Sequence, residues 1–249
     1  MREEFKNRIK ASLKRGVIFS VPNERTFLYQ YLSAFAKTLI DKHILDVGAG
    51  EQQYKHLFKD RNRYEACDLA MGFHPDNKPH FVASIYDIPR EKEHYDVVLL
   101  LQVLEHLEYP LAGLREVHRV LREGGLLFIS VPQAAGDHFS PHHYFNYTQF
   151  GLQSVLRQTG FKIQEHHRLA GMFAYVGNRM VKLGQSIRHQ YKRKGNIGQR
   201  LASLMFCLAC YGSGYFVSLF NFMDKEKCYC IGHIVIAQKL SNEEMGDLQ

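Results

Sequence analysis

Short apolar runs alternate with amphipathic stretches along the first two thirds of the chain. Ile44-Leu45 with Val47, Tyr64 to Asp68, His80 to Ala83, Tyr95 to Leu101 and Leu126 to Val131 have the length and density of strands. The run at Tyr95 is almost uninterrupted, as expected of a central parallel strand covered on both faces. Between the runs, Leu28, Tyr31, Leu32, Phe35 and Leu39 keep helical spacing, and Leu111, Leu114, Val117 and Leu121 form a second stripe. Pro110 suits the start of that second helix and Gly124-Gly125 its end. A helix is expected from about Gln53 to Lys59, and another over Gln149 to Gln158, capped by Thr148 and ended by Gly160. Phe161 to Arg168 reads as a further strand. The alternation predicts an α/β chain with a βαβ-built parallel sheet.

The last third departs from this rhythm. About 60 residues separate Arg168 from the next strand-like run, Tyr229 to Gln238, which is far longer than an ordinary connection. Within it, Leu201 to Met223 carries no charged side chain over 23 residues. Its length nominates a membrane span. Because the chain enters and leaves it within one sheet, and Gly212-Ser213-Gly214 divides it, an interfacial or re-entrant helical hairpin is expected. Core helices of a lid or a dimer interface are the alternative.

Charge sharpens this picture. The 249 residues carry a net charge of +7, yet no Asp or Glu occurs from His166 to Met223, where Arg168, Arg179, Lys182, Arg188, Lys192, Arg193, Lys194 and Arg200 lie. The basic run before the apolar block suits anionic headgroups. Charges followed by apolar residues, without interleaved stacking aromatics, disfavour nucleic acid as a partner. Residues 1–20 read as a basic, partly helical arm. The absence of an apolar h-region after Met1 predicts a cytoplasmic protein, and the basic and apolar insert a position peripheral to the inner face of the membrane. The five cysteines, at 67, 207, 210, 228 and 230, do not read as a disulfide framework.

Candidate chemistry centres on Lys42 to Gly50, KHILDVGAG, where a strand runs into Gly48 and Gly50. Glycines let backbone N–H groups approach a ligand at φ > 0. A dinucleotide fingerprint requires glycine at the sixth position, which is Gln53 here. An acidic residue two places before the first glycine, Asp46, followed by GAG, resembles motif I of the class I S-adenosylmethionine (SAM)-dependent methyltransferases. The family's third glycine is replaced by Gln52. Asp68 stands 18 residues past Gly50, where the second strand ends beside a ribose. YDVVLLLQVLEHL, followed by Pro110, closely resembles the segment around the family's fourth strand. PHHYFNYT resembles a stretch of methyltransferases from saccharide-modifying gene sets (methyltransferase type 11-like), where it lies over the substrate pocket.

The resemblance implies a Rossmann-like class I methyltransferase fold, a doubly wound, mostly parallel seven-stranded sheet. Its seventh strand is antiparallel, lies between strands 5 and 6, and is supplied by YCIGHIVIAQ. The expected organisation is an N-terminal arm and helix (1–40), a SAM-binding core (41–170), a basic and apolar helical insert on the substrate face (171–227), and a closing strand with a tail (228–249). The expected cofactor is SAM, bound by Asp46, Gly48, Gly50, Gln53, Asp68, Leu69, Ser84, Ile85 and Gln102. Adenine is expected at Ser84-Ile85, through backbone groups and the Ile85 side chain.

Methyl transfer is an in-line displacement, and an acceptor hydroxyl needs a proton acceptor. His106, His142 and His143 are the candidates. A metal at His138, His142 and His143 is not expected, because adjacent residues seldom aim at one ion and no carboxylate completes the set. The acceptor is read as lipid-linked, saccharide or otherwise amphiphilic. The alternatives are a soluble small-molecule acceptor, a non-catalytic SAM-binding scaffold and, last, a nicotinamide oxidoreductase.

Overall fold

The apolar runs become β1 (His43–Val47), β2 (Arg63–Asp68), β3 (Phe81–Val82), β4 (Tyr95–Leu101), β5 (Leu121–Pro132), β6 (Phe161–Leu169) and β7 (Gly232–Lys239). The computed structural model describes residues 24–69 and 78–241, so the expected basic arm at residues 1–20 lies outside the described residues. All seven strands form one sheet in the order β3-β2-β1-β4-β5-β7-β6. The pairs β1–β2, β1–β4, β2–β3 and β4–β5 are parallel, and β7 runs antiparallel to β5. β1 is buried along its full length, and so are Val97 to Leu100 of β4. That is the doubly covered centre expected of apolar runs without alternation.

Helices α1 (Glu24–Ala36), α2 (Pro110–Val120) and α3 (Gln149–Gln158) accompany the sheet. α2 starts on its proline and buries Leu114, Val117 and Val120. It ends at Val120, earlier than Gly124-Gly125 predicts. Leu121 already pairs with Tyr95, and the register then shifts so that Leu126 faces Val97. Gly124 takes φ +70°, and a Cβ on Gly125 would stand 2.8 Å from the Arg122 carbonyl oxygen. Both glycines therefore shape an irregularity in the strand. α3 follows expectation, with Thr148 Oγ1 accepting from the Gly151 N–H at 3.1 Å and Gly160 at φ +81°.

The helix expected after Gly50 is absent. Gln52 N–H donates to Ala49 O, Lys55 to Gln52 O and Leu57 to Tyr54 O, all three-residue bonds, and only Lys55–Leu57 forms a 3₁₀ turn. Gln52 itself sits at φ +50°, outside the helical region.

Contacts divide the chain into a sheet unit, residues 31–167 and 232–249, and a helical unit, residues 1–30 and 168–231. In the helical unit, α4 (Met172–Lys194) and α5 (Ile197–Ser218) form a hairpin, and Leu219–Met223 continues α5 as a 3₁₀ turn. The turn of the hairpin is Gly195-Asn196, closed by a capping box between Asn196 and Gln199. It is not at Gly212-Ser213-Gly214, which lies inside α5. Ser213 Oγ donates to Ala209 O at 2.7 Å, a bond a helix accommodates. Gly214 serves packing instead, since a Cβ there would lie 2.6 Å from Gly177 O, and one at Gly184 would lie 2.7 Å from Cys210 Cβ. The far end is tied by Asn221 Oδ1, which accepts from Gly171 N at 2.9 Å and Ala174 N at 3.2 Å.

Candidate active site at the carboxyl edge of the sheet

Because β1, β2, β4 and β5 are parallel, their carboxyl ends deliver four loops to one edge. Val47 leads into Gly48 at φ +67° and Gly50 at φ +51°. Gly48 donates to Cys67 O at 2.9 Å, and a Cβ on it would lie 2.6 Å from Val103 Cγ2. The turn after β1 thus packs on the segment after β4, and only glycine fits there. A Cβ on Gly50 would meet nothing within 4 Å. Open space above a glycine with accessible backbone is a cradle a cofactor can enter.

Gln52, which stands where the resembled family has its third glycine, takes a left-handed φ, is 7% exposed and donates through Nε2 to Lys78 O at 2.6 Å. The loop closes as a glycine would close it. Gln53, the expected cofactor contact, is exposed next to it.

Asp68 at the end of β2 accepts from Gly50 N through Oδ2 at 2.7 Å and from Leu69 N through Oδ1 at 2.7 Å. Each carboxylate oxygen has two acceptor directions, so both retain one for a ribose hydroxyl. Leu69 beside it is 52% exposed. Asp46 is different. It is 2% exposed, and its Oδ2 accepts from the Tyr64 hydroxyl at 2.6 Å. Burial, with a smaller contribution from the Asp68 charge, pushes its carboxyl up to about 7 against the opposing pull of the Tyr64 hydrogen bond. Burial also drives the Tyr64 phenol upward. Asp46 is therefore a positioning residue under the turn.

Ser84 Oγ accepts from Tyr86 N at 3.2 Å, while Ile85 is 8% exposed and belongs to the core beside Leu107. The Ile85 side chain is committed to packing, which leaves its backbone for a base. Gln102 follows β4 at φ +57°, held by N–H to Ser130 O at 3.0 Å and Nε2 to Ser130 Oγ at 3.2 Å.

Beyond Gln102 the chain makes a 3₁₀ turn, Leu104–His106. The loop after β5 is fastened to it: Tyr144 N and Phe145 N donate to Glu105 O at 2.9 and 3.2 Å, and Tyr147 OH donates to Leu104 O at 3.3 Å. Asn146 closes the neck of that loop through Ala135 N at 2.9 Å and Ala135 O at 3.1 Å. This brings His106, His138 and His143 together, with ring centroids 4.4 to 5.7 Å apart. His142 contributes its carbonyl, which accepts from His106 Nδ1 at 2.6 Å. Burial lowers the His106 pKa, the neighbouring histidines add to this, and the His142 carbonyl opposes it.

Of the expected histidines, His106 and His143 meet. His142 bonds through its backbone, and its own ring is exposed. Sequence reasoning missed Glu105 and underrated His138, because the signal is spread over two loops 32 positions apart. The polar hollow lined by Lys42, Arg61, Asn62 and Arg122 lies at the amino ends of β1 and β4 and shares none of these groups.

Comparison with known proteins shows the family and the fold. A family model described as a methyltransferase domain matches residues 23–177, more than half of the chain. No curated protein matches the sequence. Among solved structures, the 1,6-didemethyltoxoflavin-N1-methyltransferase of Burkholderia thailandensis, bound to 1,6-didemethyltoxoflavin and S-adenosylhomocysteine, is 15% identical, with a TM-score of 0.50, over 96% of this chain and 87% of that one. MccD protein is 15% identical with a TM-score of 0.53, over 84% and 96%. YcgJ of Bacillus subtilis is 13% identical with a TM-score of 0.51, over 85% and 98%. At these identities the likeness concerns the fold.

Proposed function

The chain belongs to the methyltransferase-domain family and is a class I SAM-dependent methyltransferase, and we propose that its acceptor is an amphiphilic, lipid-linked or saccharide molecule reached at the cytoplasmic surface of a membrane. The cofactor, when bound, supplies a methyl group on a positively charged sulfur. In this proposal the turn at Gly48 and Gly50, whose own N–H groups bond Cys67 O and Asp68 Oδ2, gives it open space and a close backbone approach, and Gln52 and Gln53 line the loop. Asp68 takes the ribose hydroxyls, Leu69 and the Ser84-Ile85 backbone flank the base, and Asp46 and Gln102 hold the turns. The acceptor side of the reaction is assigned to His106 and His143, joined by His138, with the His142 carbonyl fixing the His106 ring.

The observation that carries the choice of acceptor is the outer face of α5. Ile197, Leu201, Met205, Leu208 and Phe216 recur on one helical face, and Met205 is 67% and Phe216 60% exposed. The helix and its extension, Ile197–Met223, are long and apolar enough to cross a membrane, and only 22% of the apolar window is buried. An apolar face of this extent is costly in water. Lys192, Arg193 and Lys194 end α4, and Arg188 and Arg200 flank the same hairpin turn. Each basic side chain near an anionic surface contributes about 1 kcal/mol, so this end of the hairpin complements a negatively charged bilayer.

Cosedimentation with phosphatidylglycerol-containing vesicles tests the reading. Wild type is expected in the pellet, and a Leu201→Glu, Met205→Glu, Leu208→Glu variant in the supernatant. Equal pelleting of the two, or none by wild type, contradicts the membrane assignment and returns the acceptor to a soluble small molecule.

A further inference from the structure

Glu105, His106 and His138 each place one ligand atom within 4.8 Å of the others, and we infer that they bind a divalent transition-metal ion of the zinc class. The donor set is two imidazoles and one carboxylate. It suits zinc or ferrous iron, whereas magnesium and calcium select all-oxygen sites.

The histidines are prepared for this role. His106 Nδ1 lies 2.6 Å from His142 O and His138 Nδ1 lies 3.0 Å from Gly136 O. A carbonyl only accepts, so both Nδ1 atoms carry the proton and both Nε2 lone pairs are left for an ion. Histidine ligands are ordinarily oriented by this outer hydrogen bond to a carbonyl or carboxylate. Glu105 is 0% exposed, so its carboxylate oxygen meets the two imidazoles away from bulk water. His138 is exposed, which gives the ion a way in.

A second observation points to the same ligand. The His143 side chain is 4% exposed, and neither of its ring nitrogens has a hydrogen-bond partner; the nearest carboxylate, Asp137 Oδ1, is 3.8 Å from Nδ1. Its ring centroid is 4.4 Å from that of His138. A buried imidazole without hydrogen bonds is costly unless something completes it, and a shared ion, or water held by that ion, does so.

The site follows Gln102 by three residues, next to the Val103 contact with Gly48. Resting on the methyltransferase reading above, the ion binds an acceptor hydroxyl at a coordination position that the protein leaves open. The O–H bond breaks with the proton passing to water, the oxygen pair forms the new O–CH₃ bond, and the S–CH₃ pair stays on sulfur. Acidification of a bound hydroxyl at neutral pH is what such ions supply.

Chelator-treated protein titrated with Zn²⁺, and with Co²⁺ followed by its visible absorption, tests the site without reference to turnover. One equivalent is expected to bind wild type. His138→Ala, in the exposed loop, should weaken binding at least about tenfold. Glu105→Gln should do the same, and unchanged S-adenosylhomocysteine binding serves as the folding control for both. Absence of saturable binding, or binding that His138→Ala leaves unaltered, overturns the site. Methyl transfer at an undiminished rate in zinc-free protein overturns its role in the acceptor step while ion binding stands.

Discussion

Two stretches of nearly equal apolarity meet opposite fates in this protein. Val97 to Leu100 of β4 are at most 1% exposed, walled in by β1, β5 and the helices of the sheet unit. The apolar residues of α5 are buried on one side only, where Ser203, Cys207, Cys210 and Gly214 face α4. Its other side holds Leu201, Met205, Leu208 and Phe216 outward. The residues that α5 buries against its partner are the small and polar ones, and those it displays are the large apolar ones. That inversion suits the membrane-facing role proposed for α5, since close backbone contact of small residues holds helices together in lipid.

The comparison can be broken most forcefully in the strand. Leu99→Ala empties a site at 0% exposure and is expected to cost about 2 to 5 kcal/mol in denaturant unfolding, the range for buried leucines. A cost below about 1 kcal/mol would mean that the sheet centre is not packed as described.

The next effect sharpens the polar half of the core. Burial pushes the Asp46 carboxyl up to about 7, above the ordinary carboxylate range. An acid whose folded pKa is raised keeps its proton in the native state when the unfolded chain has lost it. Stability therefore falls as pH rises from about 4 to 7 and levels off above, by an amount on the order of a few kcal/mol. Asp46→Asn cannot ionise, still accepts from the Tyr64 hydroxyl, and should flatten this part of the profile in urea unfolding between pH 5 and 8. A parallel profile in the variant would show that Asp46 is not the titrating group.

The smallest effect is on α5. Leu208→Ala, at a position 57% exposed, should change stability in solution by no more than about 0.5 kcal/mol, yet reduce vesicle binding. A large loss of stability would place this face against protein rather than lipid.

How much was legible in the sequence follows the same division. The strands were readable because a doubly covered parallel strand leaves an unbroken apolar run, and the glycine turn because Gly48 and Gly50 answer to a local backbone need. Gly212 to Gly214 misled, since a glycine that ends a helix and one that lets another helix approach look alike along the chain; Gly177 on α4 is what decides between them. Gly124-Gly125 misled in the same way, the deciding partner being the register on β4. The left-handed conformation of Gln52 could not be recognised from its type, because its partners there, Ala49 O and Lys78 O, are backbone groups that carry no sequence signal. The histidine cluster was half legible. His106 and His143 stand in recognisable segments, but Glu105 has no signal of its own, and no spacing rule connects a residue after β4 with His138 in the loop after β5.

The central claim is that the turn after β1 and the carboxylate after β2 form a SAM site. Calorimetric titration with S-adenosylhomocysteine, for wild type and Asp68→Ala, tests it most directly. Wild type is expected to bind one equivalent. The variant loses hydrogen bonds from a charged acceptor and should bind more weakly by about 1.5 to 3 kcal/mol, roughly ten- to a hundredfold. Absence of binding by folded wild-type protein, or equal affinity in Asp68→Ala, would contradict the account.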